Sequence, residues 1–247
     1  RYSYPNSALI GLRLDAEHFN SIPRRAYQVR GLKVKIPGAG ANNSGTPTVV
    51  SSLSVAQSLN IPNATDIKTW GFIHYPTGYI FNGTMGTTSQ WCADPAWCLY
   101  DLLLSSRYGT GDHISADQLD VYSFYNASRS CSELVDFKVR RNDGTVEESK
   151  EPRFSLNAVI RKQEDAYKVI NSLCSVFRAM PYYGAGSLVL TQDKAGVDPS
   201  HIFTLANVSP EGFIYSGAGK KTRVTVAIVK YYDTELRESA YEEVVDE

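Results

Sequence analysis

"WCADPAWCLYDLLLSSRYG", residues Trp91–Gly109, is the stretch that decides the fold, because it begins and ends like a buried helix. Asp94 stands where a helix N-cap is expected, and Pro95 follows at the first helical position, where a missing N–H costs nothing. Apolar residues then recur at three- and four-residue spacing until Gly109, a common helix stop. They are Trp97, Tyr100, Leu103, Leu104 and Tyr108. The stretch predicts a helix that packs its apolar side into a core.

Two further helices are predicted after this one. The second runs from about Ser115 to Val135, and the third begins near Ala166 and ends at Pro181. The third has the clearest pattern, because its apolar residues form one stripe at helical spacing. The stripe consists of Ala166, Val169, Ile170, Leu173, Cys174 and Phe177.

Alternating segments on both sides of the helices predict strands. They are Ser7–Ala16, Tyr27–Pro37, Arg153–Ile160, Gly186–Asp193 and Lys220–Asp233. In the last of these both faces are apolar near the middle, which predicts a strand buried on both sides. The Asp-Gly pair within Arg141–Gly144 is a hairpin signal. Strands, then helices, then strands, without a long βαβ alternation, predict an α+β fold.

The residues between the early strands and the first helix differ from the rest. Gly38–Thr48 is rich in glycine and asparagine, which predicts a long flexible tip. From there to about Gln90, short apolar pieces alternate with turns. This pattern predicts an insertion built from short β elements.

The composition is that of an ordinary globular protein and argues against several kinds of partner. The 247 residues include 25 basic and 26 acidic side chains, and 43% of the residues are hydrophobic. This balance gives no overall attraction to nucleic acid or to an anionic membrane. No apolar run approaches the ~20 residues that cross a bilayer. Because the chain begins without Met or a signal-peptide pattern, we expect a segment of a longer polypeptide.

The four cysteines do not follow the usual spacing of a zinc site. They are Cys92, Cys98, Cys131 and Cys174. The first two are six residues apart without a second pair nearby, so a metal would need a distant ligand such as Cys131, His74 or His113. A metal site and a Cys92–Cys98 disulfide stay open as alternatives, but we expect packing. Cys174 lies within an apolar helical stripe and is expected to be a small core residue.

Signals for catalysis are weak throughout the chain. The histidines are scattered, without a ligand-like neighbour three or four residues on: His18, His74, His113 and His201. The chain has no Gly-x-Ser-x-Gly elbow of a hydrolase. Ser216–Thr222, "SGAGKKT", departs from the phosphate-loop pattern and precedes a strand, so a glycine turn with a basic edge is expected. We therefore expect no catalytic, cofactor-binding or metal-binding residues and no enzyme activity.

Long phrases of the sequence, taken in order, resemble a known family. They are Tyr4–Pro37, Trp91–Gly111, Glu151–Met180, and Phe213–Asp233 with Ala240–Glu247. On these phrases the chain resembles the host-specificity or tip attachment protein J family of lambda-like tailed phages. Gly38 to about Gln90 departs from the family, which has a shorter loop there.

The resemblance implies a structural protein of the virion, located at the tail tip. Such a protein is a central tail-tip, or baseplate hub, component that closes the distal end of the tail tube and acts in host adsorption and DNA ejection. The family implies a homotrimer with small barrel-like β domains joined to an α+β unit. On that basis residues 1–37 are a first β-barrel hub portion, 38–90 a β-rich insertion, 91–205 the joining α+β domain with three helices, and 206–247 a second β-barrel hub portion.

The resemblance also implies the partners. They are further copies of this chain, other tail proteins such as the distal tail or hub ring and the tape measure protein, and a host receptor contacted through distal domains outside this chain. DNA is contacted in transit, without a cofactor, and no stable membrane insertion of this segment is expected. We hypothesise that Gly38–Thr48 or the "GAGKK" turn at Gly217–Lys221 projects toward the channel or a neighbouring tail protein.

Two other functional classes remain as alternatives. A carbohydrate-binding or cell-wall-degrading tail module would use the many aromatic residues, although these fall largely at helix-core spacing. A eukaryotic secreted adhesion domain would use the Asn-x-Ser/Thr acceptor sites. These sites are at Asn42, Asn63, Asn82, Asn126 and Asn207.

Overall fold

The computed structural model describes residues 9–15, 17–18, 21–22, 27, 29–140, 145–194, 201–217, 219, 224–233 and 238–245. The chain divides into two compact units, Arg1–Ala195 and Gly196–Glu247. The finer division into four parts, with boundaries after residues 37, 90 and 205, stays a prediction.

The described part of the first unit contains four α-helices and eight strands. In chain order they are β1 (Lys33–Val34), β2 (Thr48–Val50), α1 (Leu53–Ser58), β3 (Phe72–His74), β4 (Gln90–Trp91), α2 (Pro95–Leu104), α3 (Val121–Cys131), β5 (Leu134–Arg140), β6 (Val146–Pro152), α4 (Ala166–Val176), β7 (Ala179–Gly184) and β8 (Ser187–Gln192). Short 3-10 helices lie at Ala41–Asn43, Ala64–Asp66 and Ala116–Gln118. The strands pair antiparallel in twos, as β1–β4, β2–β3, β5–β6 and β7–β8.

The second unit contributes β9 (Val226–Asp233) and β10 (Glu238–Val245), which also pair antiparallel. The described elements are thus helices mixed with small antiparallel sheets, and the predicted α+β class is confirmed in this broad sense. Each sheet among the described residues has two strands, and none of them closes into a barrel. The barrel-like domains that the resemblance implied are therefore not seen in this part of the chain.

Helix α2 is the centre of the main core. Asp94 caps its first turn and Pro95 opens it, as the sequence predicted. The helix then buries six of its ten residues: Pro95, Ala96, Trp97, Leu99, Tyr100 and Leu103. It packs against α3, α4 and β1. Since so much of its surface is apolar and covered, α2 is held by packing on several sides rather than along one stripe.

The loop after α2 folds back onto the helix end. The helix ends at Leu104, five residues before the predicted stop at Gly109. Thr110 N–H donates to the Leu102 carbonyl at 3.2 Å, and Gly109 N–H donates to the Ser105 carbonyl at 3.0 Å. A Cβ at Gly109 would lie 1.6 Å from the Leu102 carbonyl oxygen, so this close approach requires glycine.

The other two predicted helices are confirmed with changed ends. Helix α3 begins at Val121 because the Asp120 carboxylate accepts from Tyr122 N–H at 3.2 Å. Upstream, Leu119 is extended and bridges to Leu188 of β8, so the predicted start at Ser115 is too early. Downstream, Leu134 already belongs to β5, so the predicted end at Val135 is too late. Helix α4 ends at Val176, and Pro181 lies within β7.

The strand predictions are confirmed unevenly. Gly186–Asp193 contains β8, Lys220–Asp233 contains β9, and β5 and β6 flank the predicted hairpin turn at Arg141–Gly144, which lies outside the described residues. Of Tyr27–Pro37, Lys33–Val34 pairs as a strand, and the described residues 9–15 of the first predicted strand are not in a sheet.

Arg153–Ile160 is not a strand. Its first residues make isolated backbone hydrogen bonds. Phe154 N–H donates to the Cys131 carbonyl at 3.2 Å, and Leu156 N–H donates to the Ala93 carbonyl at 2.8 Å. Phe154 and Leu156 pack against the main core. The alternation in this sequence therefore reflects one extended segment that lies on the core without a ladder partner.

The prediction of a flexible tip at Gly38–Thr48 is wrong, because hydrogen bonds join this segment to residues 79 and 80. Ala41 N–H donates to the Ile80 carbonyl at 2.9 Å, and the Ser44 hydroxyl accepts from Ile80 N–H at 2.9 Å. Tyr79 donates from its hydroxyl to the Gly38 carbonyl at 2.9 Å. The stretch up to Gln90 also includes helix α1, which was not predicted.

A second, smaller core lies under α1 and the β2–β3 pair. Its buried members are Val50, Ala56, Ile61, Ala64, Ile67 and Phe72. Leu134 of β5 and Trp70 pack against it while partly exposed. The short elements of residues 38–90 therefore have a hydrophobic centre of their own beside the main core.

Substituting Gly109 by alanine should lower the free energy of unfolding by about 1–3 kcal/mol, since backbone must move to admit the Cβ. Gly31 is the matched control because a Cβ there meets nothing within 4 Å. Gly31→Ala should change stability by about 0.5 kcal/mol or less. Urea unfolding followed by tryptophan fluorescence measures both, and equal effects would show that the loop does not need glycine.

Candidate functional site

The carboxylate of Asp94 is buried between α2 and α3, with the residue 1% exposed. Its Oδ1 accepts from the backbone N–H groups of Ala96 and Trp97 at 3.0 and 3.1 Å. Its Oδ2 accepts from the hydroxyls of Ser128 and Ser132 at 2.8 and 3.2 Å. Burial raises the pKa of this carboxyl, and the hydrogen bonds, led by that from Ser128, oppose the shift.

The hydrogen bonds around Asp94 run in one direction. The Trp97 indole N–H can only donate, and it donates to the Tyr75 hydroxyl at 3.1 Å. Ser128 uses its proton for Asp94, so the 2.7 Å contact between the two hydroxyls has Tyr75 as donor and Ser128 as acceptor. Ser132 accepts from Ile73 N–H at 3.1 Å. The cluster thus joins β3 and its following residue to α2 and α3.

The role of this hydrogen-bonded cluster is structural, because it joins β3 and Tyr75 to helices α2 and α3. Ser128 is fully buried, and Trp97 and Phe124 close the core around it at 0% exposure. No substrate in solvent reaches the carboxylate. The sequence indicated Asp94 as a cap but not its hydroxyl donors. The available signal was a pair of serines four residues apart, at Ser128 and Ser132, which a helix places on one side.

The four cysteines are free thiols. Cys92, Cys131 and Cys174 are buried in the main core, which confirms their interpretation as packing residues. Burial raises the pKa of every one of them, that of Cys98 to about 12 and that of Cys174 to about 11. At neutral pH they are therefore protonated thiols, the less nucleophilic form of the side chain.

The histidines that the sequence singled out lie in separate surroundings. His74 is in β3, where burial lowers its pKa. His18 lies 3.3 Å from the Asp15 carboxylate, and the His201 ring stacks on Phe203. Across the residues that the structure describes, no three His, Cys, Asp or Glu side chains form a group that could hold a metal ion. Nor is any helix in that part of the chain long and apolar enough to span a membrane.

The β9–β10 hairpin exposes apolar side chains on both faces. Its eight cross-strand pairs run from Val226 opposite Val245 to Asp233 opposite Glu238. Ile228 and Val229 point to opposite faces, and they are 72% and 47% exposed. The prediction of a strand buried on both sides is therefore wrong within this chain. An isolated hairpin is marginal in water, so these faces are candidate interaction surfaces.

The β7–β8 hairpin exposes apolar side chains on its outer strand. Leu190 of β8 is 6% exposed in the main core, and its N–H donates to the Ser123 hydroxyl of α3. On β7, Met180 and Tyr183 are 65% and 73% exposed. This outer strand is a second candidate interaction surface. Helix α4 packs against β7, and α3 packs against its partner strand β8.

Comparison with known proteins gives a relationship over most of the chain. No family model matches it. It is 35% identical over 180 residues to tip attachment protein J of Escherichia phage SECphi27, covering 70% of this chain and 14% of that protein. It is 28% identical over 233 residues to tip attachment protein J of Escherichia phage SECphi4, covering 94% and 17%.

The chain is related to tip attachment protein J. This relationship confirms the resemblance seen in the sequence and the predicted location at the tail tip of a phage virion. The chain spans 14–17% of the length of these two relatives. In this J-related chain the candidate functional features are therefore the exposed strand β7, which belongs to the first unit with the main core, and the exposed strands β9 and β10 of the second unit.

Asp94→Ala should lower the free energy of unfolding by about 3–5 kcal/mol, because it removes a helix cap and leaves the buried Ser128 hydroxyl and the half-buried Ser132 hydroxyl without their acceptor. Asp120→Ala is the matched control, since that carboxylate caps α3 with a bond to Tyr122 N–H. It should cost about 1 kcal/mol. Urea denaturation compares the two, and similar losses would mean that the Asp94 cluster adds nothing beyond capping.

Proposed function

We propose that this chain is a structural and interaction segment of a phage tail-tip protein. It forms part of a baseplate hub that closes the distal end of the tail tube and acts in host adsorption and DNA ejection. The observation that carries the proposal is the similarity to tip attachment protein J over 94% of the chain. The segment works by packing and contact, without catalysis.

Assembly as a homotrimer is part of the proposal. Three copies around the tube axis would meet through heterologous contacts that close a ring. The exposed apolar side chains of β7, β9 and β10 support it, because a partner would cover them. The further partners are the distal tail or hub ring, the tape measure protein, a host receptor reached through domains outside this chain, and DNA in transit. Barrel-like β domains joined to the α+β unit are also part of the proposal.

The aromatic side chains of the main core argue against their use in a carbohydrate-binding module. Phe81 stacks on Tyr125 at 4.9 Å between ring centroids, and Trp97 meets Tyr100 edge-on at 5.5 Å. These rings belong to or pack on the main core. They are therefore used to build the fold rather than as an exposed platform for sugars.

Charging the outer strand β7 in the phage should block tip assembly without unfolding the chain. Met180→Asp with Tyr183→Asp should leave stability within about 0.5 kcal/mol of the wild type, since both side chains are exposed. Particles carrying this variant should lose infectivity at least tenfold. The measurements are urea unfolding of the chain, plaque counts, and immunoblots of purified particles for the tip protein.

The control places the same two charges at exposed polar positions of α1, as Ser54→Asp with Gln57→Asp. These particles should assemble and infect normally. Normal assembly of the β7 variant would contradict a partner contact there. Equal loss in both variants would show that added charge, and not the apolar strand, is responsible.

A further inference from the structure

A cleft in the first unit lies between the end of α2 and the start of α4. Its volume is about 530 Å³, within the range of pockets that take peptides or small molecules. Leu103, Val169 and Ile170 form part of its apolar lining. The extended segment 160–164 also lines it. A cleft built in this way accepts aliphatic side chains.

The charged part of the cleft is basic. Arg107, Arg161 and Lys162 line it, and none of the three makes an ion pair with another residue that the structure describes. The lining carboxylate, Glu164, is already in an ion pair with Lys168 at 3.4 Å. The cleft therefore presents uncompensated positive charge to an incoming ligand.

The residues beside these cations show which kind of ligand fits. Val159 and Ile160 are 76% and 55% exposed, directly before Arg161 and Lys162 in the chain. Nucleic acid would use the cations but gain nothing from exposed aliphatic groups. A peptide strand that carries both carboxylates and aliphatic side chains would use both features.

One face of the β9–β10 hairpin has this chemistry. Strand alternation and the pairing of Glu242 with Val229 place Val244 and Tyr231 on the same face as these two. Val229, Tyr231 and Val244 are 47%, 44% and 54% exposed. Glu242 brings a carboxylate to this face, and no described side chain on it is basic.

The opposite face of the hairpin differs in charge. It carries Glu243, but also Lys230, whose ammonium lies 5.5 Å from the centre of the Tyr241 ring. Like charges make that face a poorer match for a basic cleft. Charge complementarity therefore selects the Glu242 face.

We propose that the Glu242 face of the hairpin of one copy docks on the Arg107–Arg161–Lys162 cleft of a second copy. This proposal rests on the homotrimeric hub described above and names a contact that closes its ring. The contact is heterologous, because cleft and hairpin are different surfaces, and three such contacts complete a closed trimer. Docking removes one apolar face of the hairpin from water. It also brings the Glu242 carboxylate to the unpaired cations of the cleft.

The test exchanges the charges of the two surfaces in the 247-residue chain. Glu242→Lys and Arg161→Glu should each weaken self-association at least tenfold, measured by sedimentation equilibrium and native mass spectrometry. The chain with both changes should return to within about threefold of the wild type, because the ion pair is restored in reverse. Glu243→Lys, on the other face of the same strand, is the matched control and should associate like the wild type.

Each other outcome counts against the proposal. Equal effects of Glu242→Lys and Glu243→Lys, or losses that add in the double variant, would overturn the docking contact. If the wild type is trimeric and no variant changes it, the contact is wrong while the trimeric hub stands. A wild-type chain that stays monomeric at high concentration overturns the contact as well. The trimeric hub is then tested by the number of copies in tail tips.

Discussion

The buried carboxylate of Asp94 is the constraint on which the rest of the first unit depends. One oxygen caps α2, and the other holds two hydroxyls of α3 and its cap. Through Tyr75 the same cluster reaches the indole of Trp97, the largest fully buried side chain. A charge in this position is costly unless every donor is in place, so the cluster forms when strand and helices are correctly assembled. It therefore specifies one arrangement of α2, α3 and β3.

Helix α3 and strand β8 of the first unit support the exposed strand β7. Helix α3 supports β8 through the Ser123 hydroxyl and the core residue Leu190, and β8 in turn carries the exposed strand β7. The apolar side chains of β7 are displayed by a rigid base and not by a loop. Such surfaces suit an assembly protein, because the ordering of the contact residues is already complete before a partner binds.

Sequence reasoning succeeded where local signals and packing agree. The Asp94–Pro95 start of α2 and the apolar stripe of α4 are local patterns, and both helices begin where these patterns predict. The pattern was less informative for Lys220–Asp233, where it correctly predicted a strand but not its exposure. Burial depends on what packs against a face, which the residues of the strand alone do not specify.

Contacts between distant residues explain the other differences. Gly38–Thr48 has the composition of a flexible tip, but its backbone is bound to Ile80, some forty residues further on. Arg153–Ile160 alternates like a strand, yet its hydrogen bonds go to single carbonyls of Cys131 and Ala93. The serine donors of Asp94 lie 34 and 38 residues from it, beyond the reach of any local motif.

We propose that this chain is part of a trimeric hub at the distal end of a phage tail. The most direct test is the number and position of its copies in isolated tail tips, measured by quantitative mass spectrometry and electron cryo-microscopy. Three copies arranged around the tube axis at the distal end are predicted. A different copy number, or density for this segment along the tail tube or on a side fibre, would contradict the claim.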